Sequence, residues 1–555
     1  DYDGYDIVYE EETTDINLYK FFNEIITNSR YDITVLPEYR LLMENNTDLE
    51  LLDGANNKTK VYKIGFWSFV AMIFMTVYSL GNGQQIYYQM GYAGITYIVI
   101  GIILFFIPYM FMVSEMSSAF SEEKGGIFSW MTKSVGLKFS TTGAFIWYIA
   151  AIIWWFSLSS VAITISTAIF GKDISETWHL FGLSNTATTS LIGVVWFLAV
   201  VFFCRKGVKS VSFLANMSML ITIVMHVLIL GGGILVFCLS GFHFQQSFAF
   251  NGIKSLFYGP NPSYDNVFSA LGFLVFAIFI LGGMESIGGL VDKVKNPKKT
   301  VPRAMIFMGI VMGILYIAII IISGMVLNWK DTFGSPNVNL YNYPIYMIQQ
   351  QFYLLGTHLG MSNTASIALG QWVNRITNWI SLIAMMNLPL TLYYPIKQIF
   401  EGMPEGMLPK VVTKKNKHGF NANALYIQAA IIVGGMLAIG FGGNTANTVY
   451  NNLTFMVTVG TSVPWAFIVF AYIKFKLNDN IKKEYTFFSK KVGVIIGTIT
   501  LITLIGANGF SIVQPFLQGN IQEGIWIAAG PLIFGFIGFI LAVLYQRKQK
   551  RNNKK

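Results

Sequence analysis

Twelve mainly apolar stretches, each long enough to cross a bilayer, run through the chain at 64–90, 92–119, 142–170, 187–204, 211–240, 265–291, 303–328, 364–393, 422–442, 449–472, 491–515 and 524–545. A transmembrane helix needs about 20 such residues. The chain therefore reads as an all-α polytopic membrane protein with twelve transmembrane helices. Composition agrees: of 555 residues 54% are hydrophobic and 12% charged, against roughly 25% charged in soluble domains. The first stretch follows an acidic segment with no basic region or cleavage site directly before it, so it is expected to be a retained span and not a signal peptide.

Basic residues test that count, because short cytoplasmic loops collect Lys and Arg. The loops after the even spans and the tail hold 28 of them, including Arg205, Lys206, Lys298, Lys299, Lys414, Lys415, Lys482 and Lys483. The loops after the odd spans hold three: Lys172, Lys254 and Lys330. This alternation predicts both termini on the cytoplasmic side. It also accounts for the formal charge of +10 as topology, with no nucleic acid implied.

Residues 1–60 carry 14 acidic and five basic residues, so 1–62 is set apart as an acidic N-terminal cytoplasmic extension. A transporter domain over 63–546 and a basic cytoplasmic tail over 547–555 complete the division.

Several chemistries have no footing here. Cys204 and Cys238 close spans 4 and 5, which places them on opposite membrane faces and argues against a disulfide. The five histidines show no metal-ligand spacing. Neither a GxxxxGK[ST] phosphate loop nor a GxSxG nucleophile elbow occurs, and no paired nucleophile and base stand within the spans.

The most informative interruption is YSLGNGQQ, 78–85, inside the first span. Gly81 and Gly83 each weaken a helix by roughly 1 kcal/mol relative to alanine, and Asn82 competes for backbone hydrogen bonds. Freed backbone groups in a bilayer cost several kcal/mol unless protein, water or ligand satisfies them, so a break marks a cavity. A second break is expected at FILGGMES, 279–286, in span 6. The five-span offset is what a five-plus-five inverted repeat requires, and broken helices at matching positions are typical of secondary transporters. Glu285 distinguishes this glycine pair from others, because an acid deep in an apolar run is a functional candidate by default.

These residues carry a resemblance. FAIFILGGMESIGGLVDKVKNPKKTVPRAM, 276–305, resembles the sixth-helix signature of the amino acid–polyamine–organocation (APC) superfamily: an aromatic-rich run, a glycine break ending in glutamate, then Asn296, Pro297 and Pro302. FFIPYMFMVSEMSSAFSEEKGGIFSWMTKSVG is similar to the glutamate/γ-aminobutyrate antiporter branch at Glu115, Met116, Glu123, Gly125, Gly126 and Trp130, with Lys124 inserted. The stretch 401–425 also resembles that branch, in the loop after its eighth helix. GPNPSYDNVFSALGFLVFAIF, 259–279, resembles a bacterial inner-membrane subgroup known as YjeM-like transporters.

The resemblance implies a leucine-transporter-like (LeuT) fold. Helices 1 and 6 are broken, the inverted repeats cover about 64–240 and 265–472, and two peripheral helices occupy 491–545. It implies amino acid transport, or exchange for an amine, across the bacterial cytoplasmic membrane by alternating access. The partners are then a small amino acid or amine and the lipid bilayer, with no cofactor, metal or nucleic acid, and homo-oligomerisation is left open.

By motif position the substrate meets Ser79, Leu80, Gly81, Asn82 and Gly83 in span 1, and Gly282, Gly283 and Met284 in span 6. Phe279 is the aromatic that covers it. Glu285 and Arg375 are assigned to gating or proton coupling, Arg375 also as a partner for Glu285. Glu115 is expected to anchor the 121–135 loop. Trp154, Trp155, Thr454 and Thr458 are further wall candidates. Two alternatives stand beside exchange. One is a sodium- or proton-coupled symporter, for which span 8 offers Ser381 as a mid-span hydroxyl. The other is a transporter-like amino acid sensor signalling through residues 1–60.

Overall fold

Inside a bilayer the backbone must satisfy its own hydrogen bonds, and this chain does so as helix over most of its length. The computed structural model describes residues 63–553 except 248–249, 336–337, 339, 341 and 484; the acidic stretch 1–62 lies outside the described residues.

Among the described residues eleven helices are long and apolar enough to cross a membrane. The first comprises α1 (Phe66–Val77) and α2 (Leu80–Met90). It is followed by α3 (Ala93–Ala119), the short amphipathic α4 (Gly126–Ser134), α5 (Leu137–Phe170), α6 (Asn185–Cys204) and α7 (Val208–Leu239). The sixth comprises α8 (Val267–Leu281) and α9 (Met284–Lys293), the latter wound as a 3₁₀ helix. Then come α10 (Pro297–Val326), the shorter α11 (Tyr343–His358), α12 (Asn363–Gly402) and α13 (Ala422–Phe441). The chain closes with α14 (Gly443–Gly460), α15 (Val463–Leu477), α16 (Lys490–Leu517) and α17 (Ile521–Asn552).

The difference from twelve falls at 449–472. That stretch is divided between α14 and α15, which meet at Thr461–Ser462, and neither half qualifies alone. Pro464 sits in the first turn of α15, where its missing N–H is harmless and where a continuous helix would lose a bond.

The first break falls at the start of the predicted stretch 78–85. The chain leaves the helix at Tyr78 and Ser79, both extended, and α2 begins before either glycine. Gly83 is needed for close packing: a Cβ there would lie 2.7 Å from Ile319 Cδ1 on α10. At the second break Gly282 is extended and Gly283 has φ +108°, a left-handed conformation that favours glycine.

The two broken spans are joined at one end, away from the breaks. The segment before α1 pairs with the segment after α9, with Ile64 N–H donating to the Lys293 carbonyl (2.7 Å) and Lys295 N–H to the Ile64 carbonyl (2.9 Å). α1 is held to α7 by buried polar contacts, Ser68 Oγ lying 2.8 Å from Ser212 Oγ and 3.1 Å from Asn216 Oδ1. Such small-residue hydrogen bonds substitute for the hydrophobic drive that lipid removes.

Candidate functional site

Between the breaks lies a cavity of about 540 Å³. Its wall contains Tyr78, Ser79, Leu80, Gly81 and Asn82 from the first break, and Phe279, Ile280, Gly282, Gly283, Glu285 and Ser286 from the second. Of the predicted residues, Gly83 and Met284 stand off the wall: Gly83 packs on Ile319, and Met284 is fully buried. Trp154 and Trp155 face the cavity with Trp147, Tyr394 and Trp465. From the tenth stretch Thr461, at the junction of α14 and α15, and Trp465 line the wall, and Thr454 does not.

The geometry at each break follows from unpaired helix ends. The Ser79 side chain caps α2, accepting from Asn82 N–H at 3.4 Å. The end of α1 offers carbonyls, one of which, on Met75, accepts from Asn387 Nδ2 at 2.7 Å. Tyr343 donates to the Gly81 carbonyl at 2.8 Å. The Tyr316 hydroxyl accepts from Ser79 N–H (3.4 Å) and donates to the Ile280 carbonyl (3.3 Å), so it touches both breaks. A helix N-terminus carries roughly half a positive charge and a C-terminus half a negative one, so paired half-helices suit a zwitterion's carboxylate and ammonium.

Glu285 is the charged residue of the wall among the described residues, and it is 1% exposed. Its carboxylate accepts from Tyr109 Oη (3.1 Å), Gly283 N–H (3.1 Å) and Trp465 Nε1 (2.9 Å). Three donors and no cation satisfy it.

Arg375 takes no part in that cluster. Its guanidinium donates to the Phe170 carbonyl at the end of α5 (3.3 Å) and lies 4.6 Å from the Trp372 ring. Glu115 likewise serves another segment than 121–135. It accepts from Phe487 N–H (2.7 Å), Phe488 N–H (3.0 Å), Tyr472 Oη (3.0 Å) and Lys476 Nζ (2.9 Å), fixing the connection between α15 and α16. The 121–135 region is braced instead by Gln398, which accepts from Ile127 N–H (2.9 Å) and donates to the Ser286 carbonyl (2.7 Å).

Sequence reasoning missed Asn387, Tyr316, Tyr109 and Trp465. Asn387 has a local signal, an amide before Pro389 where α12 turns 3₁₀. The others meet the breaks only through tertiary packing.

A bundle of apolar, span-length helices enclosing a cavity lined by two interrupted helices is the arrangement of a membrane transporter. The chain belongs to the amino acid permease family, whose model matches residues 64–536. It is 32% identical over 496 residues to the Escherichia coli (strain K12) inner membrane transporter YjeM, covering 89% of this chain and 98% of that one. It is 25% identical over 505 residues to the Lactococcus lactis subsp. cremoris aspartate/glutamate permease AcaP, covering 87% and 96%. It is 24% identical over 473 residues to the Lactococcus lactis subsp. lactis glutamate/gamma-aminobutyrate antiporter, covering 83% and 85%. The protein is a multi-pass cell-membrane protein of the APC superfamily, and its activity is amino acid transport or exchange across that membrane.

Proposed function

We propose that the protein exchanges one amino acid for another, or for its amine, by alternating access, holding the substrate between the two breaks. The observation that carries this reading is the shared cavity, onto which Ser79, Leu80, Gly81 and Asn82 face from one break and Gly282 and Gly283 from the other. The carboxylate lies at the start of α2 or α9, and the ammonium at the carbonyls ending α1 or α8. Phe279, 37% exposed beside the cavity, covers the substrate, and Glu285 with Trp465 forms a gate below it.

The same reading takes α14 and α15 together as one broken tenth crossing, which makes twelve, and the whole as a leucine-transporter-like inverted repeat with α16 and α17 peripheral. The alternation of basic loops then puts both termini in the cytoplasm. Arg375 acts by holding the end of α5 to α12, setting the wall's outline and not charging it.

Counterflow tests the proposal. Proteoliposomes loaded singly with unlabelled amino acids or amines are given labelled glutamate and a labelled amino-acid mixture, with and without sodium. Uptake that requires an internal substrate and ignores sodium is expected. Uptake driven by a sodium gradient into empty vesicles, or none from any mixture, overturns exchange.

A further inference from the structure

Behind the first break sits a buried histidine that the transport reading has not used. His226 on α7 is 8% exposed. Its Nδ1 lies 2.7 Å from the Thr222 carbonyl, and its Nε2 lies 2.7 Å from the Tyr78 hydroxyl. A carbonyl only accepts, so Nδ1 carries the hydrogen, and in the neutral ring Nε2 must be an acceptor. The Tyr78 O–H therefore donates to the ring. Tyr78 and Thr222 are both wall residues, so His226 is one side chain away from the substrate space.

Adding a proton to Nε2 reverses this bond. The imidazolium donates through both nitrogens, the phenol oxygen becomes the acceptor, and the phenol hydrogen must find another partner. Tyr78 lies on the break itself, its backbone extended, and on the cavity wall, so a ligand in the cavity can supply that partner.

Among the described residues the neighbouring elements place no charged group against the ring. α1 presents Phe74 and Tyr78 to the ring, and α10 presents Tyr316 across Tyr78. From α12, Ser381 meets Met225 while Arg375 is engaged at Phe170. From α11, Gln351 donates to the Ile229 carbonyl. Glu285, on the cavity wall, has its oxygens occupied by Tyr109, Trp465 and Gly283.

We propose that His226 is a proton-binding site of this transporter, at which protonation of Nε2 releases the Tyr78 hydroxyl to donate to the substrate carboxylate. The proton enters from the aqueous cavity and leaves by the same route when the substrate does. This rests on the amino acid transport reading above. Substrate binding then favours the protonated ring, and the imidazolium offsets the charge of the incoming carboxylate.

The test uses the full chain in proteoliposomes with glutamate as probe, from about pH 5 to about pH 8, the range over which histidine titrates. The wild type is expected to show a KM that is flat at the acid end and rises about tenfold per pH unit beyond one inflection, as for one linked proton. His226→Gln and Tyr78→Phe are each expected to lose the inflection, whatever their absolute KM. Retention of the inflection in both variants, or a wild-type KM constant over the range, overturns the proposal.

Should the variants fail to fold, an indicator dye reads proton uptake by solubilised wild-type protein on adding glutamate above the inflection. Uptake supports the proposal and its absence overturns it. Lack of counterflow of glutamate or of an amino-acid mixture at every pH overturns instead the transport reading, and the proposal with it.

Discussion

The Tyr316 hydroxyl stands 3.4 Å from the Ser79 backbone nitrogen and donates to the Ile280 carbonyl at 3.3 Å, so one side chain of α10 joins the two broken helices. Both bonds are long and individually modest, about 1 kcal/mol each at most. Tyr316→Phe removes them together, taking this partner from the Ser79 N–H at the cavity wall and from the buried Ile280 C=O. The expected outcome is a lower melting temperature and a KM raised by roughly fivefold, from about 1 kcal/mol of lost preorganisation. Melting in detergent and counterflow in vesicles check the two parts separately; an unchanged KM would mean that the breaks are positioned without this tie.

The break glycines separate into distinct physical roles, and alanine substitution distinguishes them. A Cβ at Gly282 would lie 2.0 Å from Trp465 Cζ2, so Gly282→Ala must displace the indole that holds Glu285. At Gly81 the closest atom to a new Cβ is Ser79 Oγ at 3.6 Å, ordinary contact at the cavity wall. Gly282→Ala is expected to abolish counterflow and lower stability. Gly81→Ala is expected to melt like wild type while changing KM. Equal loss of stability in both variants would contradict this division.

How much of this was legible in the sequence follows from the same residues. Apolar runs gave the spans, because twenty residues without charge have few other uses. Gly282 and Gly283 marked the second break at its true position, since φ +108° is a local demand that glycine meets locally. The first break falls within the predicted stretch 78–85, but not at its glycines. Gly81 and Gly83 stood out by type, yet the chain turns at Tyr78 and Ser79, whose extended backbone has no compositional mark. The division at Thr461–Ser462 went unread although Pro464 signalled it, because the surrounding residues remain apolar enough to pass as one span. Partnerships across hundreds of residues, such as Glu115 with Phe487 and Phe488, leave no local trace at all.

Two lysine–carboxylate pairs near the α15–α16 connection predict opposite results. Lys476 and Glu115 are 2% and 0% exposed and 2.9 Å apart, so Lys476→Met leaves a buried carboxylate without its counter-ion. A loss of about 3–5 kcal/mol is expected, read as a large drop in melting temperature. Lys490 and Asp479 are 2.7 Å apart but 49% and 78% exposed. Lys490 holds the Asp479 carboxyl below its ordinary value, so the pair's small contribution is present above the unfolded value and is lost as pH falls through the folded one. Lys490→Met is expected to leave melting near neutrality almost unchanged, as solvent screens the pair.

Glu285 is the acid on which a gate would turn, and its partners make the prediction specific. The carboxylate accepts from Tyr109, Trp465 and the Gly283 N–H, which is acceptor-only chemistry. In Glu285→Gln one oxygen becomes an NH₂ that must face a donor, whichever way the amide is turned. Turned towards Trp465 it opposes the indole N–H, and turned the other way it opposes the Gly283 N–H, although the Tyr109 hydroxyl can rotate to accept from it. The expected result is a loosened Trp465, seen as a change in tryptophan fluorescence, with counterflow reduced at least tenfold, or about 1.4 kcal/mol. Glu285→Asp keeps the charge but withdraws it by about one methylene, and is expected to retain more exchange than the amide. If the amide transports like wild type with an undisturbed indole, the carboxylate is only a packing element and the gate lies elsewhere.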